Sequence, residues 1–199
     1  MTRVLVFDMG GVLYDFRGDQ LIAEHSRRKR RWRREEVQER WPELAHGFET
    51  GACSEAIFAE AIVRYYELEL SPAQFLIAFR AAAAGFYDGA LDLLSELCAL
   101  HPLLSLSNTN AVQWPKLLED LGVADPFQAH HPSHVSGFHK PDRRAFEALA
   151  DSLAPDAECY FFDDRAQNAK AAAEFGWHAR RVRGIEGVRR ACLELGLLG

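Results

Sequence analysis

No apolar run in this 199-residue chain approaches the ~18 residues that a membrane-spanning helix needs, so no helical membrane segment is expected. The opening residues MTRVLVFDMG meet an acid at Asp8 before the apolar core of a signal peptide forms, and a cytoplasmic protein is expected. Cysteine is scarce: Cys53, Cys98, Cys159 and Cys192 are scattered without a C-x-x-C pair, which argues against a disulfide framework or a structural zinc site. There is no internal repeat and no Pro- or Ser-rich linker. With 48% hydrophobic and 26% charged residues, the chain is neither a disordered nor a collagen-like sequence. One compact domain with an insertion is the expected scale.

Charge is unevenly spread. The formal net charge is -6, yet Arg27, Arg28, Lys29, Arg30, Arg31, Arg33 and Arg34 put seven bases into eight positions, which leaves 16 bases against 29 acids elsewhere. Such a run is a solvated helix face, a surface that steers phosphorylated substrates, or a nucleic-acid contact. Only Trp32 interrupts it and no base-reading motif accompanies it, so nucleic acid is not the expected partner.

Val4-Leu5-Val6-Phe7 is a continuous apolar run that ends at Asp8-Met9-Gly10-Gly11, the pattern of a strand buried on both faces and followed by a turn. Leu103 to Leu106 before Ser107-Asn108, and Cys159 to Phe162 before Asp163-Asp164, read the same way, with a weaker strand near positions 177–182. Amphipathic helix patterns separate these runs, which predicts a doubly wound α/β fold with a parallel sheet. Between Asp15 and Phe86 the rhythm breaks: no convincing strand is visible, and Ser54 and Ser71-Pro72 look like helix starts. Residues 16–85 are therefore expected to be a helical insertion in a core made of residues 1–15 and 86–199.

Ligands of open α/β sheets bind beyond the carboxyl ends of strands. The polar residues collected there are Asp8, Ser107 with Asn108, and Asp163 with Asp164. Singly, each has an ordinary explanation in turn or cap chemistry. Together they matter more, because carboxylates at neighbouring strand ends repel one another unless a cation or a shared proton neutralises them. Asp8 with Asp164 suits Mg²⁺, which takes one or two carboxylates, water and a substrate phosphate. Asn168, four residues after Asp164, is placed to orient that carboxylate or a metal-bound water. Ser107, Asn108 and Lys140 are the candidate phosphate donors. Lys140 is one of only four lysines against nineteen arginines and precedes Pro141-Asp142; a solvated surface lysine is its alternative.

Phe7-Asp8-Met9-Gly10-Gly11-Val12, Ser107-Asn108-Thr109-Asn110, Lys140-Pro141-Asp142 and Phe162-Asp163-Asp164 with Asn168 resemble, in order, the four motifs of the haloacid dehalogenase superfamily. The resemblance spans about residues 4–173, and the insertion looks like the helical cap many members place over the active site. Within the superfamily, these strings are most similar to bacterial sugar-phosphate phosphatases, the α-glucose-1-phosphate phosphatases among them. The resemblance implies a Rossmann-like core and a Mg²⁺-dependent phosphatase of a small phosphorylated metabolite. Asp8 attacks phosphorus, an aspartyl-phosphate forms, and water hydrolyses it. It further implies Mg²⁺ on Asp8, Asp164 and the Gly10 carbonyl, phosphate held by Ser107, Asn108 and Lys140, and support from Asp163 and Asn168.

One departure stands out. Most phosphatases of the superfamily carry a second aspartate two positions after the nucleophile as general acid and base, and this chain has Gly10 there. Asp15 or a cap residue are the candidates to replace it. Two rivals follow: a metal-independent 2-haloacid dehalogenase, and a phosphate-binding regulatory protein of low turnover.

His130, His131, His134 and His139 match no familiar zinc spacing and are expected in a strand end and surface loop, with His139 nearest the active-site rim. Trp41 and Phe48-Glu49-Thr50 either face substrate or pack within the insertion.

Overall fold

The computed structural model describes residues 2–27 and 34–199. Positions 28–33, most of the basic run, lie outside the described residues. Five parallel strands form the central sheet: β1 (Arg3–Phe7), β4 (Leu103–Ser107), β5 (Ala129–Pro132), β6 (Glu158–Asp163) and β7 (His178–Arg181), in the order β5-β4-β1-β6-β7. Two further short strands, β2 (Tyr14–Phe16) and β3 (Ala83–Phe86), pair antiparallel outside it.

Period-two alternation explains the apolar runs. Leu5, Phe7, Leu103, Tyr160 and Phe162 point into one buried cluster, and Val4, Val6, Leu104, Leu106, Cys159 and Phe161 into another on the opposite face. Helices α5 (Ala90–Cys98), α6 (Trp114–Leu121) and α10 (Gly184–Glu194) cover the first face, through residues such as Leu94, Leu117 and Val188. On the second face lie α8 (Arg143–Ala150) and α9 (Ala166–Phe175), which bury Phe146, Leu149 and Ala172. The short α7 (Ser133–Ser136) follows β5 directly. This is the expected doubly wound α/β fold.

The insertion contains α1 (Gly18–His25), α2 (Arg34–Glu49), α3 (Glu55–Tyr65) and α4 (Pro72–Ala81). Its own cluster, with Ile22, Phe48, Phe58, Tyr66, Phe75 and Phe79, is drawn from residues between 21 and 82, with Val112 packed at its margin. The two serine starts cap as the sequence suggests: Ile57 N donates to Ser54 Oγ, and Ser71 forms a capping box with Gln74. Ile57 is exposed, because the buried face of α3 runs through Phe58, Ala59 and Ile62.

The insertion is not strand-free at its borders, contrary to the sequence expectation. The chain leaves the core through β2 and re-enters through β3, whose Ala83-Ala84-Gly85-Phe86 carries the composition of a helix end and pairs as a strand only because β2 lies beside it. This ribbon sets the insertion over the carboxyl end of β1. Among the described residues no helix is long and apolar enough to cross a membrane.

Candidate active site

The turn after β1 opens the site. Leu13 N and Tyr14 N both donate to Met9 O, and Gly11 N donates to Tyr14 O, so the chain folds back directly behind Asp8. Gly11 has φ +74°, and a Cβ there would lie 2.8 Å from Asp164 Oδ2. Glycine is thus required twice, by the backbone conformation and by the approach of the neighbouring carboxylate.

Asp8 at the end of β1 and Asp163-Asp164 at the end of β6 are brought side by side, because the two strands pair in register up to Phe7 and Phe162. Carboxylate oxygens of Asp8, Asp163 and Asp164 all lie within 4.8 Å of one another. Lys140 enters from the loop ahead of α8, and its Nζ sits 3.0 Å from Asp8 Oδ1 and 2.8 Å from Asp163 Oδ2 while donating to Leu106 O at 2.6 Å. The lysine is 1% exposed, which excludes the surface-lysine alternative. Burial alone would lower its pKa, but the charges and hydrogen bonds of Asp163 and Asp8 outweigh that and raise it.

The two adjacent aspartates are not equivalent. Asp163 is fully buried and saturated by donors, accepting from Lys140 Nζ, from Arg165 N at 2.8 Å and from Asn168 Nδ2 at 3.0 and 3.1 Å. Asp164 instead lines a cavity that also reaches Asp8, Gly10 and Lys140. Asn168 therefore orients Asp163 and not Asp164 as its spacing suggested. The reason is local: α9 begins only at Ala166, so helical spacing does not hold back to Asp164. Asn168 Oδ1 is buried and, among the described residues, has no hydrogen-bond partner.

One lysine against three carboxylates leaves an excess of negative charge. Burial, opposed by Lys140 and reinforced by Asp163 and Asp164, pushes Asp8 up to about 7. Asp164 is raised as well, by burial and by Asp163. An all-oxygen donor set of this charge, with an orphaned amide oxygen beside it, fits a hard divalent cation.

The loop after β4 forms the next wall. Ser107 is buried at the strand end, whereas Asn108, Thr109 and Asn110 line the cavity. Asn108 works as a strut: its Oδ1 accepts from Lys140 N at 2.8 Å, and its Nδ2 donates to Lys140 O at 2.9 Å and to His139 Nδ1 at 3.1 Å. Both amide hydrogens are thereby used, so the Asn108 side chain has no donor left for a substrate.

The far wall comes from the insertion, with Trp41, Glu49 and Phe79 facing the same cavity. Glu49, at the end of α2, is 8% exposed; it accepts from Trp41 Nε1 at 3.1 Å and lies 2.7 Å from His139 Nε2. Ser133 ties the same corner together, donating to Glu49 O at 2.5 Å and accepting from Thr109 N at 2.9 Å. This junction, formed by residues 90 positions apart in the chain, was not legible as a unit; the only sequence signals were the open alternatives at Trp41 and Glu49 and the rim position of His139. Of the other histidines, His130 bridges Ser105 and Asp125 at the sheet edge. Asp15 pairs with Arg17 at 2.7 Å and is not among the cavity-lining residues.

The haloacid dehalogenase-like hydrolase family matches residues 2–176. Phosphatase MT3486 of Mycobacterium tuberculosis (strain CDC 1551 / Oshkosh) is 31% identical over 191 residues, an alignment covering 89% of this chain and 86% of that protein. Among solved structures, a HAD family enzyme of Bacteroides thetaiotaomicron, BT-2542, in complex with magnesium and inorganic phosphate superposes with a TM-score of 0.73 at 23% identity, covering 92% of this chain and 95% of the other. L-2-haloacid dehalogenase of Xanthobacter autotrophicus, with chloropropionic acid covalently bound, gives 0.64 at 21% identity over 100% and 85% of the two chains. The ordered motifs, their convergence at the carboxyl ends of β1, β4 and β6, and the match over most of the chain place this protein in the haloacid dehalogenase-like hydrolase family.

Proposed function

We propose that this protein is a Mg²⁺-dependent phosphatase of a small phosphorylated metabolite, a sugar phosphate by preference, acting through a covalent Asp8 phosphoenzyme. The observation that carries the reading is the gathering of Asp8, Asp163 and Asp164 within 4.8 Å of one another around the Lys140 ammonium. The phosphatase name of the Mycobacterium tuberculosis relative and the magnesium and phosphate bound to BT-2542 agree with it.

Asp8 Oδ attacks phosphorus as the P–O bond to the leaving group breaks, and with Gly10 in the general-acid position the departing oxygen takes its proton from solvent. Water then attacks the aspartyl-phosphate, gives a proton to solvent and releases inorganic phosphate with the Asp8 carboxylate restored, so one difficult displacement becomes two easier ones. Lys140 holds the Asp8 carboxylate in place and neutralises phosphate oxygens, to which the Ser107 hydroxyl donates a hydrogen bond. Asn108 contributes by fixing the main chain on both sides of Lys140. Asp8, Asp164 and the Gly10 carbonyl would hold Mg²⁺, which would supply the positive charge that offsets repulsion between the anionic nucleophile and its anionic target. Asp163 and Asn168 support this set from behind, and the unpartnered Asn168 Oδ1 suits a water bound there. In this reading residues 16–85 are a cap that closes the cavity over the leaving group.

The dehalogenase reading fits less well. A metal-free attack on an anionic substrate gains nothing from two further carboxylates beside the nucleophile. Phosphate release from a panel of phosphorylated metabolites, with Mg²⁺ or with chelator, tests the proposal. Activity that survives both chelation and Asp8→Asn excludes it, and chloride release from 2-haloacids without metal selects the dehalogenase.

A further inference from the structure

We propose that Glu49 is the specificity-determining residue of this site: a fixed acceptor that binds hydroxyl groups of the leaving group and turns away leaving groups that carry a second negative charge. The inference deepens the phosphatase reading and rests on it.

Four hydrogen bonds define the state of the Glu49 carboxylate. Asn108 Oδ1 accepts from the Lys140 main-chain N–H, which fixes the side-chain amide with its NH₂ toward His139. An NH₂ group can only donate, so His139 Nδ1 is an acceptor and its ring proton sits on Nε2. That Nε2–H donates to Glu49 Oε2, and the indole N–H of Trp41 donates to Oε1. Glu49 thus receives one fixed donor on each oxygen and is held as a pure acceptor, with its remaining lone pairs available to the cavity it lines. Its main chain is fixed too, through Ser133 Oγ on the Glu49 carbonyl. A carboxylate pinned at both ends and at its backbone loses little freedom on binding, which makes it a selective group.

Its surroundings favour a polyol. Trp41 and Phe79, in contact at 5.6 Å between ring centroids, present apolar faces to the same space. Among the described residues, the cationic side chains lining the cavity are Lys140 and Arg165, both on the core side with the carboxylate cluster. Among the described residues, phosphate and leaving group are thus sorted by charge, with cations where the phosphate is processed and carboxylate and aromatic faces where the rest of the substrate lies. A hydroxylated ring suits the second compartment, whereas a carboxylate or second phosphate meets Glu49 as a like charge at short range.

Purified wild-type, Glu49→Gln and Trp41→Phe proteins are assayed with Mg²⁺ on glucose 1-phosphate and glycerol 3-phosphate, on 3-phosphoglycerate and fructose 1,6-bisphosphate, and on acetyl phosphate. A hydroxyl bound to a carboxylate contributes about 10- to 100-fold. Glu49→Gln should therefore lose about that factor in kcat/KM on the polyol esters, mainly through KM, while acetyl phosphate changes about twofold or less and the handicap of the anionic substrates shrinks about tenfold. Trp41→Phe, which removes one donor to Glu49 together with part of the aromatic face, should move the same ratios part of the way; it carries the test if Glu49→Gln does not fold. Wild-type turnover with unchanged ratios in the variants overturns the inference alone, as does a kcat loss common to every substrate. Absence of wild-type turnover on the whole panel removes the phosphatase reading and this inference with it.

Discussion

The Lys140 ammonium lies 3.0 Å from the Asp8 carboxylate, and the two groups meet with side-chain exposures of 1% and 12%. A cation enclosed in this way is held by its partners and holds them in turn. Lys140→Met leaves Asp8 and Asp163 facing each other without compensation. Breaking one side of a buried ion pair destabilises by about 3–5 kcal/mol. Urea unfolding of the metal-free variant should show a loss of that order, recovered in part by Mg²⁺, and turnover should be abolished.

Proton and metal compete for the same carboxylates. Asp8 rises from 3.8 to about 7 in the folded metal-free protein, chiefly by burial, so the folded state binds a proton that the unfolded state has released. Stability from this group is fully present below the unfolded value and is lost as pH rises through the folded one. The melting temperature of the metal-free protein should therefore fall as pH climbs from 3.8 toward 7, once the other titrating groups are matched by an Asp8→Asn control. The upshift produced by Mg²⁺ should be larger at about pH 8 than at about pH 5.5, because metal binding must displace the proton at the lower pH. Differential scanning fluorimetry across that range reads both effects.

Gly11 separates backbone strain from chemistry. Gly11→Ala keeps every polar group of the site, yet places a methyl 2.8 Å from Asp164 Oδ2 at a residue with φ +74°. We expect about 1–3 kcal/mol of destabilisation from the backbone alone. Because the contact pushes on Asp164 and not on Asp163, Mg²⁺ affinity measured by calorimetry should fall further than stability predicts.

Ser133 couples the insertion to the core. Its hydroxyl donates to Glu49 O and accepts from Thr109 N, and the residue is 2% exposed. Ser133→Ala leaves both main-chain groups unsatisfied, a loss of about 1–3 kcal/mol in chemical denaturation. KM should rise more than kcat falls, since the residues disturbed line the leaving-group side.

Much of this arrangement was legible in the amino-acid order. Val4-Leu5-Val6-Phe7 and Cys159 to Phe162 read as strands buried on both faces, and the polar residues that end them meet because parallel strands present the same end. What escaped had physical reasons. β3 is written in alanine and glycine, which signal helix ends, and exists as a strand only through β2. β5 is Ala129-His130-His131-Pro132, an edge strand with little apolar signature, of which only a strand end was legible at the histidines. Asn168 was paired with Asp164 on helical spacing, although the turn between β6 and α9 directs Asp163 toward it. The Glu49–His139 contact joins segments that only the folded chain brings together.

Phosphorylation of Asp8 during turnover underlies all of this chemistry. The direct measurement is acid quenching during turnover of a ³²P-labelled metabolite ester with Mg²⁺, followed by peptide mapping. Acid-stable, hydroxylamine-labile label is expected on the peptide that contains Asp8, lost in Asp8→Asn and after chelation. Steady turnover with no label on that peptide, or with label elsewhere, contradicts it.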